Sequence, residues 1–341
     1  MNSKKTRQIG SGVIISTVSE GSDSIVYQTL LPEGQLRAVK LFRTKSSPFR
    51  VDKKLLESIH HPLVVPVLGS GFYNGLPFLE QQWVSEPTLA ELLSTRGAFP
   101  LEVCTSVGIM VCKALKALHQ LNCPQDDAIS FIHGNLRPSN VFLTKDGTIQ
   151  VTDIGLSTPL AGKEKIEEND NFVKYCSPEK LKGKDSGVKE DIYSLGCILY
   201  ELITGQAAFS QKKRKRLHRA KRKNRYRRLK RYKLKLPPQL IRLVESCMSK
   251  KAKKRPPSIA NILEELSGIH LKFTCNLPED VIDYFVNATE GRIEIGVKRG
   301  RVFKVLLTIG ISVLLAYYGV MRINITDDNE INLFDILFGQ E

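Results

Sequence analysis

Three short stretches hold side chains whose types and order could carry out phosphoryl transfer. The first is "AVK" at 38–40, an apolar run that ends in Lys40. The second is the polar loop "HGNLRPSN" at 133–140, set between "FI" before it and "VFL" after it. The third is "TDIGLS" at 152–157, which offers Asp153. Such chemistry needs a cover over the phosphates, a cation to position them, oxygen donors for a metal, and a base for the acceptor hydroxyl. Lys40 can be the cation, and Asn140 with Asp153 the metal donors. The position that wants a base holds Asn135, and an amide accepts no proton at neutral pH.

Positioning these groups requires a scaffold, and the hydrophobic patterning outlines one. The first 90 residues read as strands and turns around one helix: "SIVYQTLL", a "PEGQ" turn, "LRAVKLF", the helical "VDKKLLESI", then "LVVPVLGSGFYNGLPFLEQQWV". Residues 101–121 repeat apolar side chains at three and four, the signature of a long buried helix. "NVFLTKDGTIQVTD" is two strands around a Lys-Asp-Gly turn. Residues 189–204 are apolar almost all round, which predicts a helix at a domain centre. "PPQLIRLVESCMS" and "PPSIANILEELSG" predict two more helices, each beginning at prolines. Strands first and helices later make a two-lobed α+β plan, with no internal repeat.

With these motifs in this order, the chain from Val13 to Gly268 resembles the protein kinase superfamily, Ser/Thr kinase-like in its loops. The resemblance implies a kinase-like domain at 13–268, with an N-lobe about 13–84 and a C-lobe about 85–268. It also implies roles. "VSEGSDSIVYQ" (18–28) is similar to the glycine-rich phosphate cover, with only Gly21 kept and Ser19 and Ser24 at the outer positions. Gly21, Val26, Ala38, Lys40 and Val84 would contact nucleotide, Gln81 would be the gatekeeper and Gln82–Val84 the hinge. Asn140 and Asp153 would hold Mg2+. Asp52 would be the ion-pair partner of Lys40, one methylene shorter than the usual glutamate. Glu179 of "SPE" would pair with Arg255 of "KKRPPS", and Asp191 would hold the backbone of the 133–140 loop.

The departures are concentrated on the chemistry. Asn135 replaces the catalytic aspartate of H-R-D-L-x-x-x-N, and Gly134 the arginine before it. Phe172 stands where a threonine usually bonds that aspartate. Phe142 stands beneath the adenine position and could fill it. Structural residues kept beside changed chemical ones are the pattern of a pseudokinase, a scaffold or allosteric partner that can still bind ATP and Mg2+. The rival is an active atypical Ser/Thr kinase working without the base. A third reading makes the kinase-like fold a platform for a lipid or RNA binder.

That third reading arises from charge. The net charge of +16 is local: of 51 Lys and Arg, 16 lie in residues 211–235, leaving 35 against 35 acidic residues elsewhere. The segment falls where the family keeps a docking helix of the C-lobe, so it predicts protein partners there, anionic membrane lipid or nucleic acid, or a plain solvated face. Sixteen cations so close repel one another, which predicts that a fixed shape needs a partner or an ionic atmosphere. The seven cysteines show no C-x-x-C spacing and sit mostly in apolar runs, which predicts reduced, buried thiols.

Residues 302–321 stand apart. Val305 to Met321 are seventeen consecutive uncharged residues, preceded by Lys298, Arg299, Arg301 and Lys304 and followed mainly by acids. The run predicts a single transmembrane helix with the kinase-like domain cytosolic. A linker at 269–301 and an acidic tail at 322–341 complete the division, with a tail at 1–12. No secretory signal pattern opens the sequence, so insertion would resemble that of tail-anchored proteins, at the endoplasmic reticulum or nuclear envelope. "NIT" at 324–326 would then lie on the lumenal side.

Overall fold

A computed structural model describes residues 7–21, 23–43, 53–121, 131–155, 170–184, 187–282 and 285. The chain divides into two compact units, and everything described belongs to the first, residues 1–289. The second, 290–341, contains the predicted membrane run and lies outside the described residues, as do Asp52 and Cys123. Among the described residues no helix is long and apolar enough to cross a membrane.

The N-terminal half is one antiparallel sheet. Its strands are β1 (Gln8–Ile9), β2 (Gly12–Glu20), β3 (Ser24–Leu30), β4 (Leu36–Phe42), β5 (Val67–Tyr73) and β6 (Leu76–Gln82), in the order β1-β2-β3-β4-β6-β5. A short helix α1 (Lys53–Glu57) precedes β5. Side chains alternate across a strand, and β4 uses this to divide its work. Val39 and Leu41 pack with Ile9 and Phe78 in a small core, while Ala38 and Lys40 line a cavity on the other face. "IGSG" at 9–12 is the β1–β2 turn, where the Ser11 hydroxyl donates to Glu80 Oε2 at 2.9 Å.

Helices dominate the rest: α2 (Leu89–Arg96), α3 (Leu101–His119), α4 (Asp170–Tyr175), α5 (Val188–Thr204), α6 (Arg214–Lys223), α7 (Pro238–Cys247) and α8 (Ile259–His270). Strands β7 (Val141–Leu143) and β8 (Ile149–Val151) form the expected hairpin. α3 and α5 are buried on most sides and pack against each other, with α8 on α3 and α7 on α5. Close approach is why residue 196 is glycine. A Cβ there would stand 2.7 Å from Cys247 Cβ and 2.9 Å from Met248 Cγ.

The basic segment follows a defined course on the C-lobe. α6 buries Leu217, His218 and Lys221 against the C-lobe, and a short 3-10 helix at Leu229–Tyr232 buries Leu229. Helical register separates one inward cation from its outward neighbours, so repulsion is spread over solvent rather than across the core. The cysteines are not uniformly buried: five are, but Cys275 is exposed in the loop after α8. Burial pushes the Cys176 and Cys247 thiols up to about 12, so they behave as small apolar groups.

Candidate functional site

Lys40, Asn135, Asn140 and Asp153 all border one cavity of about 1000 Å³ between the sheet and the helical half. Gly21, Val26, Ala38 and Val84 line it too, so every predicted nucleotide contact is brought together. Gln81 is buried at its back and accepts from the Thr152 hydroxyl at 3.2 Å. Phe142 is only half-buried and forms part of the wall, leaving the cavity open rather than filled. Gly21 closes the β2–β3 turn by donating its N–H to Ser24 O at 2.9 Å. A Cβ there would make an ordinary contact, so the turn itself does not demand glycine. An ion pair between Arg43 and Glu20 ties the turn to the end of β4.

Lys40 reaches Asp153: its Nζ forms an ion pair with Asp153 Oδ2. The expected partner, Asp52, lies outside the described residues. Asp153 sits at φ 62°, a left-handed turn that aims its carboxylate at β4. Burial alone would raise the Asp153 pKa, but the charges of Lys40, Arg137 and His133 outweigh it and hold the carboxyl below its usual range.

The 133–140 loop is held from behind. Asp191, fully buried at the start of α5, accepts from His133 N at 2.8 Å, Gly134 N at 2.9 Å and His119 Nε2 at 2.9 Å. Gly134 adopts φ 72°, a conformation that favours glycine and turns its N–H onto Asp191. Inside the loop, Asn140 Nδ2 donates to Asn135 O at 2.9 Å. Arg137 Nε and the Ser139 hydroxyl approach Asn140 Oδ1 at 3.3 and 3.2 Å. The Asn135 N–H donates to His133 Nδ1 at 3.3 Å, which requires that nitrogen to be unprotonated. Phe172 of α4 is buried and borders the same cavity as Asn135.

The scaffold pair predicted from "SPE" and "KKRPPS" is present. Arg255 donates to both Glu179 oxygens, at 2.5 and 2.8 Å, to Lys189 O at 2.7 Å and to Ser249 O at 2.9 Å, beside the Tyr193 ring. Two contacts gave no signal in the sequence. One is Lys40 to Asp153, 113 positions apart; the other is Arg137 to Asn140.

These donors fit the expected cofactor. Mg2+ commonly takes one or two protein oxygens and completes its shell with phosphate and water. Asp153 would supply one such oxygen and Asn140 Oδ1, here accepting from Arg137 and Ser139, the other, with Lys40 as the cation for phosphate. Among the described residues no cluster of three His, Cys, Asp or Glu offers an all-protein metal site.

Stability should carry the imprint of these buried groups. Burial lowers the His133 pKa against the opposing charge of Asp191. A lowered histidine favours its neutral form in the fold, so protonation of the unfolded chain erodes stability below about pH 6.5. Asp153 and Asp191 lie below the usual aspartate value of 3.8. Their contribution is present above that value and disappears as pH falls through the depressed ones. Urea denaturation across a pH series should show a shallow decline beginning near pH 6.5 and a steep one below about 4. His133→Asn should reduce the first, leaving the share of His61, whose pKa burial also lowers, and should leave the second unchanged.

Comparison with known proteins places these observations in a family. The protein kinase domain family matches residues 13–266. The "Probable serine/threonine-protein kinase CPE1738" of Clostridium perfringens is 29% identical over 207 residues, 58% of this chain and 29% of that protein. "Serine/threonine-protein kinase PknB" of Mycobacterium leprae is 27% identical over 168 residues, 47% of this chain and 26% of that protein. The chain thus spans less than a third of the length of these two relatives. The crystal structure of Rad53 1-466 in complex with AMP-PNP superimposes with a TM-score of 0.60 at 20% identity, covering 74% of this chain and 63% of that one.

Proposed function

The chain belongs to the protein kinase family, and we propose that it is a catalytically impaired member that binds Mg·ATP and acts as a membrane-anchored scaffold or allosteric regulator. The observation that carries the reading is the pairing at the cavity of Asn135 with Phe172. The group that would take the acceptor proton and the hydroxyl that would hold it are replaced together. The parts that would hold nucleotide, Lys40, Asn140 and Asp153, remain assembled. In this reading Lys40 holds the phosphates, Asn140 and Asp153 hold Mg2+, and the cavity wall from Val26, Ala38 and Val84 receives the base. Bound Mg·ATP supplies a transferable phosphoryl group, and Asn135 provides no proton acceptor for it. The membrane part of the reading rests on the uncharged run at 305–321 and its basic flank.

Nucleotide binding is tested by thermal unfolding. Mg·ATP at a hundred times its Kd should stabilise the fold by about 2.7 kcal/mol, and Lys40→Met should abolish the shift. Absence of a shift at saturating Mg·ATP would turn the cavity into a relic.

A second reading, an active atypical Ser/Thr kinase transferring the γ-phosphate to proteins, is favoured by the names of the relatives and by the complete phosphate and metal set. It differs from the first in predicting phosphate transfer that depends on Lys40.

A further inference from the structure

The basic segment is one-sided. Of its sixteen Lys and Arg between 212 and 235, all but Lys221 are exposed. α6 turns Leu217, His218 and Lys221 inward at helical spacing. Lys221 is fully buried: its Nζ donates to Lys174 O at 2.7 Å and sits 4.1 and 4.5 Å from the centroids of Phe209 and Tyr193. The helix is therefore fastened from beneath, with its other cations directed outward. Near the 3-10 helix, Glu245 receives Arg228 and the Leu229 N–H. A rigid face of like charge at this density repels itself, and an anionic surface relieves that repulsion.

The aromatic residues decide which anion. Single-stranded nucleic acid is held by bases stacked on open ring faces. Tyr226 and Tyr232 are the aromatics of this segment, and both rings are already used. Tyr226 meets Tyr200 and Phe209 edge-on and lies under the Arg228 guanidinium at 4.5 Å. Tyr232 meets Tyr200 edge-on under Arg227 at 4.2 Å, with its hydroxyl on that of Tyr200 at 2.8 Å. Bases find no platform there, and what remains is charge matched to phosphate.

Beside these rings is a second cavity, of about 590 Å³, bordered by Arg225, Arg231 and Gln211. Gln211 Oε1 is buried with no hydrogen-bond partner among the described residues. Cations beside an orphaned acceptor suit a headgroup that carries a phosphate together with an ammonium or hydroxyl donor. Leu234, exposed between Lys233 and Lys235, adds an apolar side chain of the kind that enters a bilayer interface.

We propose that the outward face of α6 and the loop to Lys235 docks on a bilayer of anionic phospholipid, with Arg225, Arg231 and Gln211 receiving a headgroup. The inference stands apart from the kinase-site reading, since no residue in it borders the nucleotide cavity. It is tested on the full chain reconstituted in vesicles, so that any anchoring at 302–321 is common to all samples. The readout is the rate of trypsin cleavage within 212–235. Vesicles containing phosphatidylserine should slow cleavage at least tenfold relative to pure phosphatidylcholine, because each cation at an anionic surface is worth about a fivefold factor. The protection should vanish at 1 M salt, where screening acts within about 3 Å. Protection, read as the ratio of cleavage rates on the two vesicle types, should weaken in the variant Lys215→Gln, Arg219→Gln, Arg222→Gln, Lys223→Gln, which spares Lys221 and should melt as the parent does. Equal cleavage on the two vesicle types would overturn the proposal. So would protection given by an RNA oligonucleotide or by inorganic phosphate, on neutral vesicles, that anionic vesicles do not match.

Discussion

Replacing Arg255 with alanine lowers the unfolding free energy by about 3–5 kcal/mol, the range for removing one partner of a buried ion pair. The side chain is buried and spends its donors on Glu179, Lys189 O and Ser249 O, so its loss takes the guanidinium from Glu179 and leaves two carbonyls without that donor. It also joins three parts of the C-lobe: the "SPE" turn, the first turn of α5 and the loop after α7. Urea denaturation measures the effect. Arg255→Lys should recover only a fraction, since an ammonium cannot grip both oxygens of Glu179. A loss below about 1 kcal/mol would mean that the pair is as weak as a surface one.

Asn135→Asp raises γ-phosphate transfer over the parent by about 10²–10⁴, the range for general-base assistance. The substitution keeps size and changes only charge and proton affinity. Its backbone is already fixed, with the 135 carbonyl held by Asn140 Nδ2 and the loop hung from Asp191. The new carboxylate would border the same cavity as Lys40 and Asp153. Phe172 offers it no hydroxyl, so Asn135→Asp with Phe172→Thr should exceed the single change. Transfer by a purified protein to a generic basic substrate is the measurement. No gain in either variant would show that the missing base is not what limits the site.

Much of this architecture is legible in residue types alone. Alternation along "LRAVKLF" puts Ala38 and Lys40 on one face of β4 and Val39 and Leu41 on the other, as found. The apolar surrounds of α3 and α5 and the prolines opening α7 and α8 reflect local physics: burial on several sides, and a fixed φ at a first helical turn. What is not legible depends on distance or on register. Lys40 and Asp153 meet across more than a hundred residues, and no local pattern announces the contact. Lys221 is one lysine among many in a charged run; only its spacing from Leu217, one helical turn away, distinguishes it, and charge hides that spacing. Gly134 reads as the loss of an arginine, whereas its positive φ gives it a place in the loop's support. Of the ion pairs carried over by resemblance, Glu179 with Arg255 is seen in the fold, whereas Asp52 lies outside the described residues.

The central claim is that the cavity holds Mg·ATP but does not turn it over onto protein. The direct test is γ-phosphate transfer from Mg·ATP by the full chain, to itself and to a generic substrate, beside Lys40→Met. Equal, background incorporation is expected for the two proteins under conditions where Mg·ATP raises the melting temperature of the parent alone. Incorporation by the parent that Lys40→Met abolishes would contradict it, and would make the chain an active kinase that works without a base at position 135.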